Sequence, residues 1–164
     1  MAADTPVIPQ TITVHLGRPN AAARNVTVPF TDYLKNVASS EIYPTWPENA
    51  IRANIYAQAS FALNRIYTEH YRSRGYDFDI TNSTAYDQAY IEGRSVFSNV
   101  AKIVDELFNN YVTKGDQVQP ISHSTAPGAR SPATGSRSGA RSRSRIRAIR
   151  HTAYFNITTG TTSI

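Results

Sequence analysis

The sequence predicts an α+β domain, an N-terminal β-hairpin followed by about three helices, and after it a disordered Arg/Ser-rich tail. Three observations carry this. Apolar and polar residues alternate over residues 11–16 and again at Val26 and Val28, the period of a half-buried strand. Apolar residues then return at helical intervals in three separate runs before residue 112. From about Pro120 both periods vanish, and Ser, Arg, Gly, Ala, Thr and Pro dominate to Ala148.

Ile12, Val14 and Leu16 interleave with Thr11, Thr13 and His15 to form the first strand, and a loop over residues 17–23 leads to the second. Thr31 opens a helix through about Ile42, with Tyr33, Leu34, Val37 and Ala38 on one face, and Pro44 ends it. Thr45 and Glu48 have the spacing of a capping box with Pro47 in the first turn, a start signal for the second helix. Ile51, Ile55, Ala59, Ala62, Leu63 and Ile66 form its stripe, and Gly75 is its natural stop. Residues 77–90 are polar, aromatic and too irregular for a helix. A third helix is expected from Val96 to Tyr111, ending near Gly115.

The 164 residues suffice for one domain with a real core. The net charge of +5 is unevenly spread. Residues 1–118 carry 10 Lys and Arg against all 12 Asp and Glu, whereas residues 119–164 carry 7 Arg and no acid. The expected organisation is a globular domain over 1–118 and a disordered basic tail over 119–164, which buries too little apolar surface to offset its ordering entropy. With no cysteine there is no disulfide and no thiolate metal site. No apolar run reaches the length of a membrane span, and the first six residues lack the regions of a secretory signal. Arg141, Arg143, Arg145, Arg147 and Arg150 would attract phosphate. Only Tyr154 and Phe155 could stack on bases there, so nucleic acid is not the expected partner.

The most informative stretch is residues 37–48, which puts Glu41 at the end of the first helical run, just before a turn rich in proline and aromatics. A carboxylate there is disfavoured by the carbonyl end of the helix and by neighbouring Tyr43 and Trp46, which exclude water. Such a group suits a general acid working near neutrality. Position alone favours the other reading, a solvated last-turn glutamate.

Residues 28–63 resemble the stage II sporulation protein D (SpoIID) family, which includes the amidase-enhancer proteins of bacterial cell walls. Its hallmark reads roughly V-P-x-x-x-Y-L-x-x-V-x-x-S-E-M-P-x-x-W-P-x-x-A-L-x-A-Q-A. Val28-Pro29, Tyr33-Leu34, Val37, Ser40-Glu41, Trp46-Pro47, Ala50-Ile51 and Ala53 fall on it without a gap. A second element, approximately D-x-x-x-x-x-x-C-Q-x-Y, is similar to residues 79–90, where one more residue follows the Asp, with Gln88 and Tyr90 on its last conserved positions. The resemblance implies a lytic transglycosylase acting on peptidoglycan glycan strands stripped of their peptides, with Glu41 as the catalytic acid and base. Ser40, Trp46, Gln88 and Tyr90 become the candidates for substrate contact. It also implies a cell-envelope or spore setting and a cell-wall amidase as a partner. The alternative is a peptidoglycan-binding or amidase-enhancing module without turnover.

Two family positions differ. The Arg-Thr pair of A-Q-A-x-A-A-R-T falls on Ala59-Ser60, which removes a cation. The Cys of C-Q-x-Y is Asp87, so a zinc site built on that Cys is not inherited, and neither metal nor other cofactor is expected.

The family continues with a Cys-containing strand, G-M-S-Q-W-G-A and G-Y-T-P-Y-E-I-L-x-Y-Y-Y-G, none of which is spelled out after Pro120. A shifted frame changes this, with each codon built from the last base of one printed codon and the first two of the next. Ser122 to Ala126 then permits Thr-Gln-Tyr-Cys, and Gly135 to Ala140 permits Leu-Ser-Gln-Trp-Gly. The last stretch permits Tyr-Thr-Pro-Tyr, one free residue, Ile-Leu, then Gln or a stop at Phe155-Asn156, then Tyr-Tyr-Tyr-Gly. The expectation is a frameshift near Pro120, which makes the Arg-Ser repeat an accident of codon phase.

Overall fold

The computed structural model describes residues 6–122 and 155–162. Three helices pack beside a small sheet: α1 (Phe30–Glu41), α2 (Glu48–Tyr67) and α3 (Ser98–Leu107). The strands are β1 (Val7–Ile8), β2 (Thr11–His15), β3 (Asn25–Pro29), β4 (Ile80–Thr81), β5 (Asn110–Lys114), β6 (Phe155–Thr159) and β7 (Thr161–Thr162). The α+β class, the hairpin and the helices expected from the sequence are all present.

β2 and β3 form the hairpin, antiparallel with Ile12 opposite Val28 and Val14 opposite Val26. β4 adds to the other edge of β2 in parallel, Val14 opposite Ile80. Ile12 and Val14 are fully buried, so the inward set of the hairpin lands on the helices as its alternation requires. Tyr33, Leu34, Val37 and Ala38 of α1, Ile55, Ala59 and Ala62 of α2, and Val100 and Val104 of α3 share this core. No helix among the described residues is long and apolar enough to cross a membrane.

Four local expectations need correction. The capping box does not form: the N-cap of α2 is Pro47, whose carbonyl accepts from Ala50 and Ile51 at 2.9 and 3.1 Å, with no side-chain cap. A proline at φ −54° is already set for helix entry, which makes Glu48 the first helical residue and leaves Thr45 outside it. Gly75 does not stop α2, which ends at Tyr67 and is followed by Glu69 in the left-handed region at φ 49°. Gly75, at φ 88°, instead closes the short 3-10 turn Arg72–Arg74. Helix α3 starts after Val96 and stops at Leu107, and Tyr111 lies in β5, fully buried. The β-prone Tyr111-Val112-Thr113 run finds a pairing partner there, and tertiary pairing overrides helical spacing.

That partner is the fourth correction. The disorder expected over 119–164 does not extend to β6 and β7. β6 pairs antiparallel with β5, Val112 opposite Ile157, and β7 pairs parallel with β1. An open β5 edge and an Asn-Ile-Thr-Thr segment of high strand propensity satisfy each other's backbone groups. Pro120 is buried as well, its carbonyl accepting from Asn64 Nδ2 at 2.6 Å. The remainder of the expected tail, residues 123–154, lies outside the described residues.

Candidate active site

The C-terminal end of α1 opens onto a cleft of about 530 Å³. Ser40 and Glu41 line it from the helix, Tyr43 and Trp46 from the turn toward α2, and Arg94 and Phe97 from the segment before α3. Glu41 is half-buried. It ends up there because the apolar stripe of α1 fixes which face of the helix is inward, and because Ile42 is extended and breaks the helix at once.

Both carboxylate oxygens of Glu41 have a fixed donor. Gln58 of α2 donates from Nε2 to Oε2 at 2.8 Å. The backbone N–H of Ala89 donates to Oε1 at 3.0 Å. One donor comes from a neighbouring helix and the other from the loop after β4, so the orientation of the carboxyl group depends on three separate segments.

The loop is held by Asp87, whose side chain is 0% exposed. Its Oδ1 accepts from Arg65 Nε at 2.8 Å, and its Oδ2 accepts from the Tyr71 hydroxyl at 2.6 Å, from Thr81 Oγ1 at 2.7 Å and from the Thr81 N–H at 3.0 Å. Burial and the Asp87 charge push the Tyr71 phenol well up, so it stays a donor. With every face of the carboxylate already taken, Asp87 is a structural hub. Among the described residues no group of three or more His, Cys, Asp or Glu could hold a metal ion.

Gln88 follows directly and is buried. Its Oε1 accepts from the Tyr33 hydroxyl at 2.9 Å and its Nε2 donates to the Gln58 carbonyl at 3.0 Å. Burial, then the charges of Asp87 and Glu41, hold Tyr33 well above the ordinary phenol range, which keeps its proton available for this bond. Tyr90 is buried too, stacked on Tyr33 with ring centroids 5.7 Å apart. Asp87, Gln88 and Tyr90 thus lock the strip of backbone that presents the Ala89 N–H to Glu41.

The structure therefore divides the candidates. Glu41, Ser40 and Trp46 meet in the cleft. Gln88 and Tyr90 do not line it; their polar and aromatic groups are spent inside the domain. Ser40 lines the cleft while its hydroxyl donates back to the Asn36 carbonyl at 2.8 Å. Trp46, 39% exposed, and Tyr43, 68% exposed, sit 6.1 Å apart at a tilt and form an aromatic wall.

Gln58 and Arg94 were not among the residues singled out from the sequence. Gln58 carried a signal all the same: it lies three residues after Ile55 and four before Ala62, a polar amide on the buried stripe of α2. Arg94 carried none, because only folding brings its segment beside the end of α1. Ala59, where the resemblance expects arginine, is fully buried in the core and brings no cation to the site.

Residues 20–119 match the family model described as stage II sporulation protein, SpoIID. No curated protein and no solved structure matches the chain.

Proposed function

The chain belongs to the stage II sporulation protein family, and from that premise we propose that it acts on the cell wall, cleaving peptide-stripped glycan strands as a lytic transglycosylase with Glu41 as acid and base. One observation carries the reading: Glu41 is the single carboxylate among the residues that line the cleft. Ordinary glycosidases need two carboxyl groups, one to protonate the leaving oxygen and one to attack or to activate water. An intramolecular attack needs one. The protonated Glu41 gives its proton to the oxygen between N-acetylmuramic acid and N-acetylglucosamine as that bond breaks. The resulting carboxylate takes the proton of the muramyl 6-hydroxyl, whose oxygen closes on C1 to form the anhydro ring. The Gln58 and Ala89 donors hold the group in one place through both steps. Trp46 and Tyr43 supply two exposed aromatic rings, tilted to each other, on which a sugar face can stack.

A second reading is favoured by Ala59 and by the inward-turned Gln88 and Tyr90: a module that binds peptidoglycan, or enhances a cell-wall amidase, without turnover. Incubation with peptide-free glycan strands separates the two. The transglycosylase releases anhydro-muramyl products detectable by mass spectrometry, and Glu41→Gln lowers their rate by roughly two to four orders of magnitude. Binding with no such product from the wild-type chain would leave the non-catalytic module. Undiminished product from the variant would remove Glu41 from the mechanism.

A further inference from the structure

Arg94 is the one cation among the residues lining the cleft. Its Nε is shut off from water and has no hydrogen-bond partner among the described residues. It forms no ion pair there either, and its neighbour Glu92 is already paired with Arg24. The backbone fixes its place: the Arg94 N–H donates to the Ile91 carbonyl at 3.1 Å across a turn with Gly93 at φ 76°. The Nε is closed to a carboxylate oxygen as it is to water, so what Arg94 offers an arriving anion is its charge on the cleft wall, engaged in no ion pair among the described residues. Arg24, Arg52, Arg65 and Arg72 each pair with a carboxylate within the fold, and Arg74 meets a ring nitrogen of His70.

We propose that Arg94 is a specificity-determining residue that receives the free carboxylate of the muramyl lactyl group beside the bond facing Glu41. The inference rests on the glycan reading above. Its chemistry follows from the pairing rules of the guanidinium: a planar fork of N–H donors matches a carboxylate through two parallel bonds. The cleft sets the charge of the ligand. Arg94 is the one cation on the cleft wall, so one anionic group of the ligand finds its counter-charge there. A muramyl residue still carrying its peptide has that carboxyl tied up as an amide, with no charge for Arg94. The same residue therefore separates stripped strands from peptide-bearing ones.

The test is calorimetric titration of three chains, wild type at position 94, Arg94→Gln and Arg94→Lys, each carrying Glu41→Gln so that strands are bound without being cleaved, with peptide-free glycan strands and with the same strands after reduction of their carboxyl groups to alcohols. The wild type is expected to bind the native strands roughly ten- to a hundredfold more tightly than the reduced ones, the usual worth of a charge-assisted hydrogen bond. Arg94→Gln should bind both kinds as weakly as the wild type binds the reduced strands, and Arg94→Lys, which keeps the charge but loses the fork, should keep only part of the preference. The reduced ligand on the chain that keeps Arg94 makes the test independent of how either position-94 variant folds. Equal binding of native and reduced strands by the wild type overturns the assignment while leaving the glycan reading intact. A preference that survives in Arg94→Gln overturns it too, since another group would then read the carboxylate. No binding of either strand by the wild type overturns the glycan reading and this inference with it.

Discussion

Gln58 reaches from α2 to donate its side-chain N–H to Glu41 at the end of α1, 2.8 Å away, while its own Oε1 is buried with no partner. The residue is 1% exposed. An orphaned acceptor in the core costs about 1–3 kcal/mol, close to what a hydrogen bond to a charged group returns. Gln58 is thus nearly neutral for stability, and its value lies in aiming the carboxyl group.

Gln58→Leu removes the donor and the orphaned acceptor together. The expected melting temperature stays within about 2–4 °C of the wild type, the shift that roughly 1 kcal/mol produces in a chain of this size. Glycan cleavage should fall by about ten- to a hundredfold, because a misplaced acid loses much of its effective concentration. Thermal melts and product release measured on the same preparations check both halves.

Asp87→Ala should destabilise the domain by about 3–5 kcal/mol, the range for stranding one partner of a buried ion pair. Arg65 would lose its carboxylate, and Tyr71 and Thr81 would keep donors with nothing to accept them. Urea titration of both chains gives the difference. Replacement by a non-ionising residue that left the midpoint unchanged would contradict the hub assigned to Asp87.

His70 sets an acid limb of stability. Burial first, then the charges of Arg65 and Arg74, lower its pKa below the ordinary 6.5. The folded chain therefore takes up the proton less readily than the unfolded chain, so this contribution is complete above pH 6.5 and is lost as pH falls through the lowered folded value. His70→Gln should flatten the fall in urea midpoint below about pH 6.5 relative to the wild type. Proton NMR titration of the imidazole should show its midpoint below that of a free histidine.

The shifted frame can be tested on the gene. Sequencing across the codons for Val118 to Ile121 is expected to reveal a change of frame, and the chain read in the alternative frame should melt higher and cleave glycan faster than the printed one. The printed chain already seats residues 155–159 on β5, so the comparison asks whether the family's Cys-containing strand and S-Q-W-G element add to that closure. Equal melts and equal turnover would make the tail genuine sequence.

Local chemistry made the hairpin and the three helices legible. Ile12 and Val14 must share one face of a strand, and Tyr33, Leu34 and Val37 one face of a helix, whatever the rest of the chain does. The same logic marked Glu41, since a helix end followed by a Pro- and aromatic-rich turn is written within twelve residues. One local signal misled: Thr45 and Glu48 have capping-box spacing, yet the fixed φ of Pro47 starts α2 at Glu48. The rest was decided by contacts between distant residues, which no local period encodes. Tyr111 continues the helical stripe of α3 but is a strand residue, because β6, some forty residues further on, offers its backbone a partner. Gln88 and Tyr90 have the residue types of a sugar-binding site, yet the Asp87 anchor turns them inward and leaves the Ala89 N–H to face Glu41. Gln58 and Arg94 reach the site only when α2 and the segment before α3 pack around the end of α1. The sequence marked Glu41 as a carboxylate at a helix end; tertiary packing decided what holds it and what shares its cleft.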